Sequence, residues 1–326
     1  MDYVKLGRSS LKVSRICLGA MGFGATGWRG WVLDEAASAA VLDRALDHGI
    51  NFFDTCDFYS AGESERILGE ILVKRQPRES FVLATKAGNP MAKHPNGRGY
   101  SRKHLFGAID ASLTRLGTDH VDLFQTHVWD PECDLEELVD AMGDIVRAGK
   151  ARHVGVTTMP AWTLALCRAM ADARASARFL SMQCEYNAAH RECERELVPL
   201  CRHEGIALIP FSPMARGFLS ADRSGGRNET LRTRTDDYTQ KYYYRDADFE
   251  VQARIARVAG AHGVSPSQVA MAWTLSRPGV TSPIFGATSV AQVDEAVAAL
   301  GLALTAEDVA LIDGAYVPRP LQGAGH

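Results

Sequence analysis

No window of eighteen uncharged apolar residues occurs in the chain, so no transmembrane helix is expected. The N-terminus, Met1-Asp2-Tyr3-Val4-Lys5, lacks the apolar stretch of a signal peptide, and the cytoplasm is the expected location. An excess of one charge is missing too: 36 Lys and Arg stand against 39 Asp and Glu, a net −3. That balance gives no electrostatic basis for binding nucleic acid or an anionic membrane. The seven cysteines contain no Cys-x-x-Cys pair and are odd in number, which argues against a disulfide framework and for reduced thiols. Cys17 and Cys184 lie in apolar, strand-like runs and read as buried. His-x-His and His-Glu-x-x-His are both absent, so no metal site is expected. Solenoid-length repeats, low-complexity tracts and domain linkers are absent as well.

What remains is ordinary globular composition, with 46% apolar and 23% charged residues in 326 positions. Short β-rich apolar runs fall at 16–20, 51–55, 81–85, 121–126, 153–157, 179–184, 207–211 and 282–286. Helix-length amphipathic segments follow them, near 35–48, 63–74, 101–115, 135–148, 161–173, 192–203, 266–275 and 290–300. Such alternation demands a parallel sheet with crossover helices. Eight units at this length favour closure into an α/β, (β/α)8 TIM barrel spanning 1–326 as one domain. Gly49, Gly117, Gly149 and Gly205 stand where C-terminal helix caps belong. Residues 5–14 read as a short N-terminal β-hairpin turning around Gly7. Only 213–245, after strand seven, breaks the rhythm. It lacks apolar periodicity and reads as a long loop over the catalytic mouth, a candidate lid.

Gly22-Phe23-Gly24-Ala25-Thr26-Gly27 matches the G-x-G-x-x-G of an open-sheet, Rossmann-type dehydrogenase. That mechanism needs a helix to begin inside the motif, so that its N-terminus meets the pyrophosphate. Here Trp28-Arg29-Gly30-Trp31 follows, and Asp34 reads as the N-cap. The glycines therefore belong to a wide first loop of a barrel.

Four polar residues end or follow strands: Asp54 closes Asn51-Phe52-Phe53-Asp54, Tyr59 lies five residues on, Lys86 closes Val82-Leu83-Ala84-Thr85-Lys86, and His127 closes Leu123-Phe124-Gln125-Thr126-His127. In a barrel all four face one mouth. With Gly62-Glu63-Ser64-Glu65, Gly149-Lys150-Ala151-Arg152-His153-Val154-Gly155-Val156, Gln183-Cys184-Glu185-Tyr186-Asn187, Pro210-Phe211-Ser212-Pro213-Met214-Ala215-Arg216-Gly217 and Ile284-Phe285-Gly286-Ala287-Thr288, the chain resembles the aldo-keto reductase superfamily. The likeness is to the bacterial branch that also resembles potassium-channel β-subunits and aryl-alcohol dehydrogenases.

The resemblance implies NADPH-dependent reduction of a small-molecule ketone or aldehyde, with Asp54, Tyr59, Lys86 and His127 as a catalytic tetrad. Tyr59 would protonate the carbonyl oxygen. Lys86 would lower its pKa, Asp54 would hold Lys86, and His127 would bond the substrate oxygen or relay a proton. The resemblance places the cofactor against Thr157, Thr158, Gln183, Phe211, Ser212, Met214, Arg216, Gly217, Gly286, Thr288, Ser289, Gln292 and Glu295. Thr157-Thr158 replaces the family's usual Ser-Asn. Gln292 replaces a common Arg, which leaves NADH as an alternative unless Arg232 or Arg234 compensates. Trp28, Trp31, Phe58 and Trp129 are the candidate substrate walls, suited to a bulky aromatic or polyketide-like carbonyl. The rival from another class is a nicotinamide-nucleotide-sensing regulatory subunit with slow turnover. Monomer and homo-oligomer both remain open.

Overall fold

Residues 1–220 and 236–319 are described in the computed structural model. Eight short strands form one parallel sheet: β3 Cys17–Gly19, β4 Phe52–Asp54, β5 Val82–Ala87, β6 Val121–Thr126, β7 Ala151–Thr157, β8 Phe179–Gln183, β9 Ala207–Leu208 and β10 Ile284–Phe285. From β3 to β9 each strand pairs with its successor, and β10 pairs with β3. Parallel bridges Leu208↔Val280 and Phe211↔Ile284, with Thr281 N donating to Leu208 O (2.8 Å) and Ile284 N to Pro210 O (2.7 Å), close the ring. The architecture is the expected (β/α)8 barrel. Strictly sequential strand order overturns the open-sheet alternative, and so does the first helix. It runs Glu35–Asp47 with Asp34 accepting from Ala37 N, beyond the glycine motif.

Side-chain alternation decides what faces inward. Phe52, Val82, Ala84 and Leu123 share an inner apolar cluster with Leu180, Ala207, Ile209 and Ile284. Their neighbours Phe53, Leu83 and Phe124 pack outward in the larger cluster under the helices. Two residues further along the inner parity stand Asp54, Lys86 and Gln125. The inward column is thus apolar at its base and polar at its C-terminal end.

The base is closed by the expected hairpin, β1 Tyr3–Lys5 paired antiparallel with β2 Lys12–Ser14. Leu6 and Val13 join the inner cluster from below. Gly7 makes this possible. Its φ is +56°, and a Cβ there would lie 2.8 Å from Leu180 O, so only glycine lets the turn nestle against the floor.

Several boundaries differ from expectation. The segment 63–74 is an α-helix only over Glu63–Leu68 and widens into a π-turn over Gly69–Val73. The sixth helix is Leu197–Glu204, preceded by a separate 3₁₀ turn Glu192–Glu194. Two helices were not anticipated, Asp246–His262 and Ala306–Asp313. In the first, Val251, Ile255, Val258 and Ala259 are buried at helical spacing. The expected loop 213–245 contains a 3₁₀ segment Ala215–Ser220 and a short helix Asp237–Tyr243. Arg232 and Arg234 lie outside the described residues.

Candidate active site

The mouth is built around a buried ion pair. Lys86 Nζ lies 2.6 Å from Asp54 Oδ2 and 2.7 Å from Thr55 O, with Lys86 fully buried and Asp54 2% exposed. Burying two charges is costly unless the remaining lone pairs are satisfied. Asp54 Oδ1 accepts from Gln125 Nε2 (3.2 Å) and Gln183 Nε2 (3.1 Å), from strands on either side of the lumen. Gly155 leaves the space: a Cβ there would crowd Ser181 and the Gln125 side chain.

Tyr59 opens a 3₁₀ turn after β4, Tyr59–Gly62. The turn is fixed from below. Ser64 Oγ bonds Thr55 Oγ1 (2.8 Å) and donates to Ala20 O (2.7 Å). Glu65, fully buried, accepts from Thr85 and from Arg115 (2.7 Å). Gly62 sits at φ +93°, with Arg115 where a Cβ would be. The Gly62-Glu63-Ser64-Glu65 motif is thus a brace for the tyrosine loop.

Lys86 Nζ then reaches Tyr59 Oη at 3.4 Å, and the His127 ring meets the Tyr59 ring edge-on at 5.7 Å. The structure brings the four sequence-expected residues together. One electrostatic expectation is corrected. Burial pushes the Tyr59 phenol up more strongly than Lys86 pulls it down, so its pKa is raised, not lowered. Tyr59 is held as a protonated phenol. Burial also presses on Lys86, but the Asp54 carboxylate outweighs it and keeps the ammonium charged. Burial, then Lys86, hold His127 well below its ordinary value, hence neutral. Asn89 Nδ2 lies 2.6 Å from His127 Nδ1. An amide nitrogen only donates, so Nδ1 accepts and the proton sits on Nε2.

These groups open into a cavity of about 620 Å³. Its walls include all four expected aromatics, Trp28, Trp31, Phe58 and Trp129, together with Tyr238 and Tyr242. Trp31 is nonetheless almost wholly buried and presents little surface. Thr157, Thr158, Gln183, Phe211 and Ser212 line the same cavity. A second cavity of about 510 Å³ shares Trp31, Met214, Arg216, Gly217, Gly286 and Thr288 with it and adds Gln292 and Glu295. Together they form one two-lobed trough.

Several details qualify the expected contacts. Thr158 has φ +54°, and its hydroxyl lies within reach of Thr157 O (2.8 Å) and His127 O (3.2 Å), turned to backbone. Thr157 Oγ1 is buried without a partner. Ser289 lines neither cavity; its hydroxyl caps helix Val290–Ala298 by accepting from Gln292 N. Gln292 Oε1 accepts from Thr288 N at 2.7 Å. Arg216 is fixed by Asp236 (2.9 Å), which also faces Arg29 at 3.8 Å.

Sequence reasoning missed Asn89, Gln125 and Asp57. Only contacts between distant loops and strands give the first two meaning. Asp57 is 1% exposed, and neither carboxylate oxygen makes a well-formed hydrogen bond. Burial first, then Glu65, push its carboxyl up to about 7, against Arg115, the Phe58 N–H and Lys86.

A barrel with polar groups converging on a trough at the strands' C-terminal ends is the build of an enzyme, here an oxidoreductase of the carbonyl–alcohol class. Residues 15–317 match the Aldo/keto reductase family, and the chain belongs to it. It is 38% identical to versiconal hemiacetal acetate reductase of Aspergillus parasiticus, with 98% of each chain covered. It is 36% identical to an aldo-keto reductase of Metarhizium robertsii, covering 99% of this chain and 93% of that one. A Schizosaccharomyces pombe protein provisionally named an aryl-alcohol dehydrogenase is 36% identical, with 98% and 97% covered. Carbonyl reduction is the chemistry of this family, and nicotinamide dinucleotides are its cofactors. No helix among the described residues is long and apolar enough to cross a membrane.

Proposed function

We propose that this enzyme reduces a bulky ketone or aldehyde with NADPH and that Tyr59 gives the carbonyl oxygen its proton. The observation that carries the reading is the chain Asp54–Lys86–Tyr59, at 2.6 and 3.4 Å, ending in the trough beside a neutral His127. The residues suit a dinucleotide. The two-lobed trough offers length, Phe211 a stacking face, and the orphaned Thr157 hydroxyl a buried donor. Bound nicotinamide would supply the hydride. Thr157 and Gln183 would orient its carboxamide, and Arg216, Gly217, Gly286 and Thr288 would meet the phosphates.

The chain's own part is proton placement. His127 Nε2–H and the Tyr59 hydroxyl orient the carbonyl oxygen. Tyr59 protonates it, and Lys86 stabilises the phenolate left behind. The aromatic walls suit a large planar substrate, and a relative named for versiconal hemiacetal acetate supports that size class.

A panel of aldehydes, aryl ketones and quinones, followed by NADPH and NADH absorbance, tests the reading. Many turnovers on a bulky aromatic carbonyl are expected. Tight cofactor binding without turnover across the panel would instead identify a nucleotide-sensing subunit. At the adenosine end, Gln292 is neutral and Glu295 is acidic, so the preference for the 2′-phosphate is modest. Gln292→Arg adds a charge-assisted bond, and the NADPH-over-NADH ratio of kcat/KM rises about tenfold. An unchanged ratio would place the 2′-phosphate elsewhere.

A further inference from the structure

We propose that Asp57 is a positioning residue that acts on the reaction through His127 and the Tyr59 loop, and that only its neutral carboxylic acid form supports fast reduction. The inference rests on the proposed role of Tyr59. Its basis is placement. Asp57 lies two residues before Tyr59, its backbone N–H donates to Lys86 O at 3.1 Å, and its side chain is shut from solvent. Ligand-type atoms of Asp57, Cys56 and His127 all lie within 4.8 Å of one another. A buried carboxyl with no well-formed hydrogen bond to either oxygen calls for an explanation, and a bound proton is one.

The groups around it set the sign. Glu65 opposes ionisation, while Arg115 and Lys86 favour it, and burial with Glu65 prevails. The Cys56 thiol is itself pushed up by burial and stays neutral. His127, also neutral, offers no cation to absorb a new charge. During reduction, negative charge develops on the substrate oxygen and passes to Tyr59 as the phenol O–H bond breaks and the alcohol O–H bond forms. A buried carboxylate at Asp57, with an oxygen within 4.8 Å of a His127 ring nitrogen, opposes that charge. Reduction therefore slows as Asp57 loses its proton, and alcohol oxidation gains by the same field.

The test is the pH profile of kcat for reduction in wild type and Asp57→Asn. Wild-type reduction should fall about tenfold from about pH 6 to about pH 8. In Asp57→Asn the fall should be under about twofold, with the NADPH dissociation constant unchanged. Parallel falls in both proteins would overturn the proposal. A measurement on unliganded wild type guards against a variant that fails to fold. Difference infrared spectroscopy should show a protonated-carboxyl C=O band at pH 6 that titrates away near pH 7. Absence of that band would also overturn it. Tyr59→Phe separates the two readings: retained turnover there sinks Tyr59 as donor and leaves the infrared titration standing.

Discussion

Tyr59→Phe should lose at least about a thousandfold in kcat for carbonyl reduction while its NADPH affinity stays within about twofold of wild type. The substitution removes one oxygen and keeps the ring. The edge-on packing against His127 is therefore preserved, and the 3₁₀ turn still rests on Ser64 and Gly62. What disappears is the proposed proton donor, whose conjugate base would sit beside an ammonium, with Lys86 Nζ 3.4 Å away. A phenol held protonated is ready to donate at neutral pH. The variant offers nothing in its place, and His127, neutral with Nδ1 engaged by Asn89, substitutes poorly. Steady-state kinetics with fluorescence titration of the cofactor decides the matter. Wild-type turnover in this variant would remove Tyr59 from the mechanism.

Lys86→Met should cost about 3–5 kcal/mol of stability, read as a lowered urea midpoint, and abolish activity as well. Methionine is close in shape, so the loss is electrostatic. Asp54 would keep its two glutamine donors but lose the cation 2.6 Å from its other oxygen. The double variant Asp54→Leu, Lys86→Met should recover part of that stability and none of the activity, since it removes the isolated charge but leaves the Gln125 and Gln183 amides without their acceptor. Isolated buried charge destabilises, whereas an apolar pair of similar volume does not. Wild-type stability in the single variant would mean that the pair is not the desolvated one described here.

The barrel was legible because its elements obey local rules. Apolar runs of strand length, glycine caps and Asp34-type N-caps are written within a few residues of where they act. The grouping of the candidate tetrad was legible because Asp54, Lys86 and His127 stand at or beside strand ends, where a barrel gathers side chains. The rest depends on residues far apart in the chain. Gln125 reads as one more strand residue until Asp54 and Gln183 face it across the lumen. Asp57 reads as a polar loop residue until its isolation is seen. The sign of the Tyr59 shift required knowing how deeply the ring is buried, which spacing does not report. Helix Asp246–His262 carries an adequate apolar stripe, but the polar stretch before it masked where the stripe began.

The hairpin beneath the barrel has a consequence for traffic. Leu6 and Val13, fully buried in the inner cluster, lay an apolar floor beneath the polar groups above. If Tyr59 spends a proton in each reduction, its replacement must come through the same opening that admits substrate and dinucleotide. Recharging the tyrosine is then ordered behind the departure of product. Proton supply becomes a step of the release half of the cycle rather than of the chemical half, and its rate belongs to the opening of the mouth.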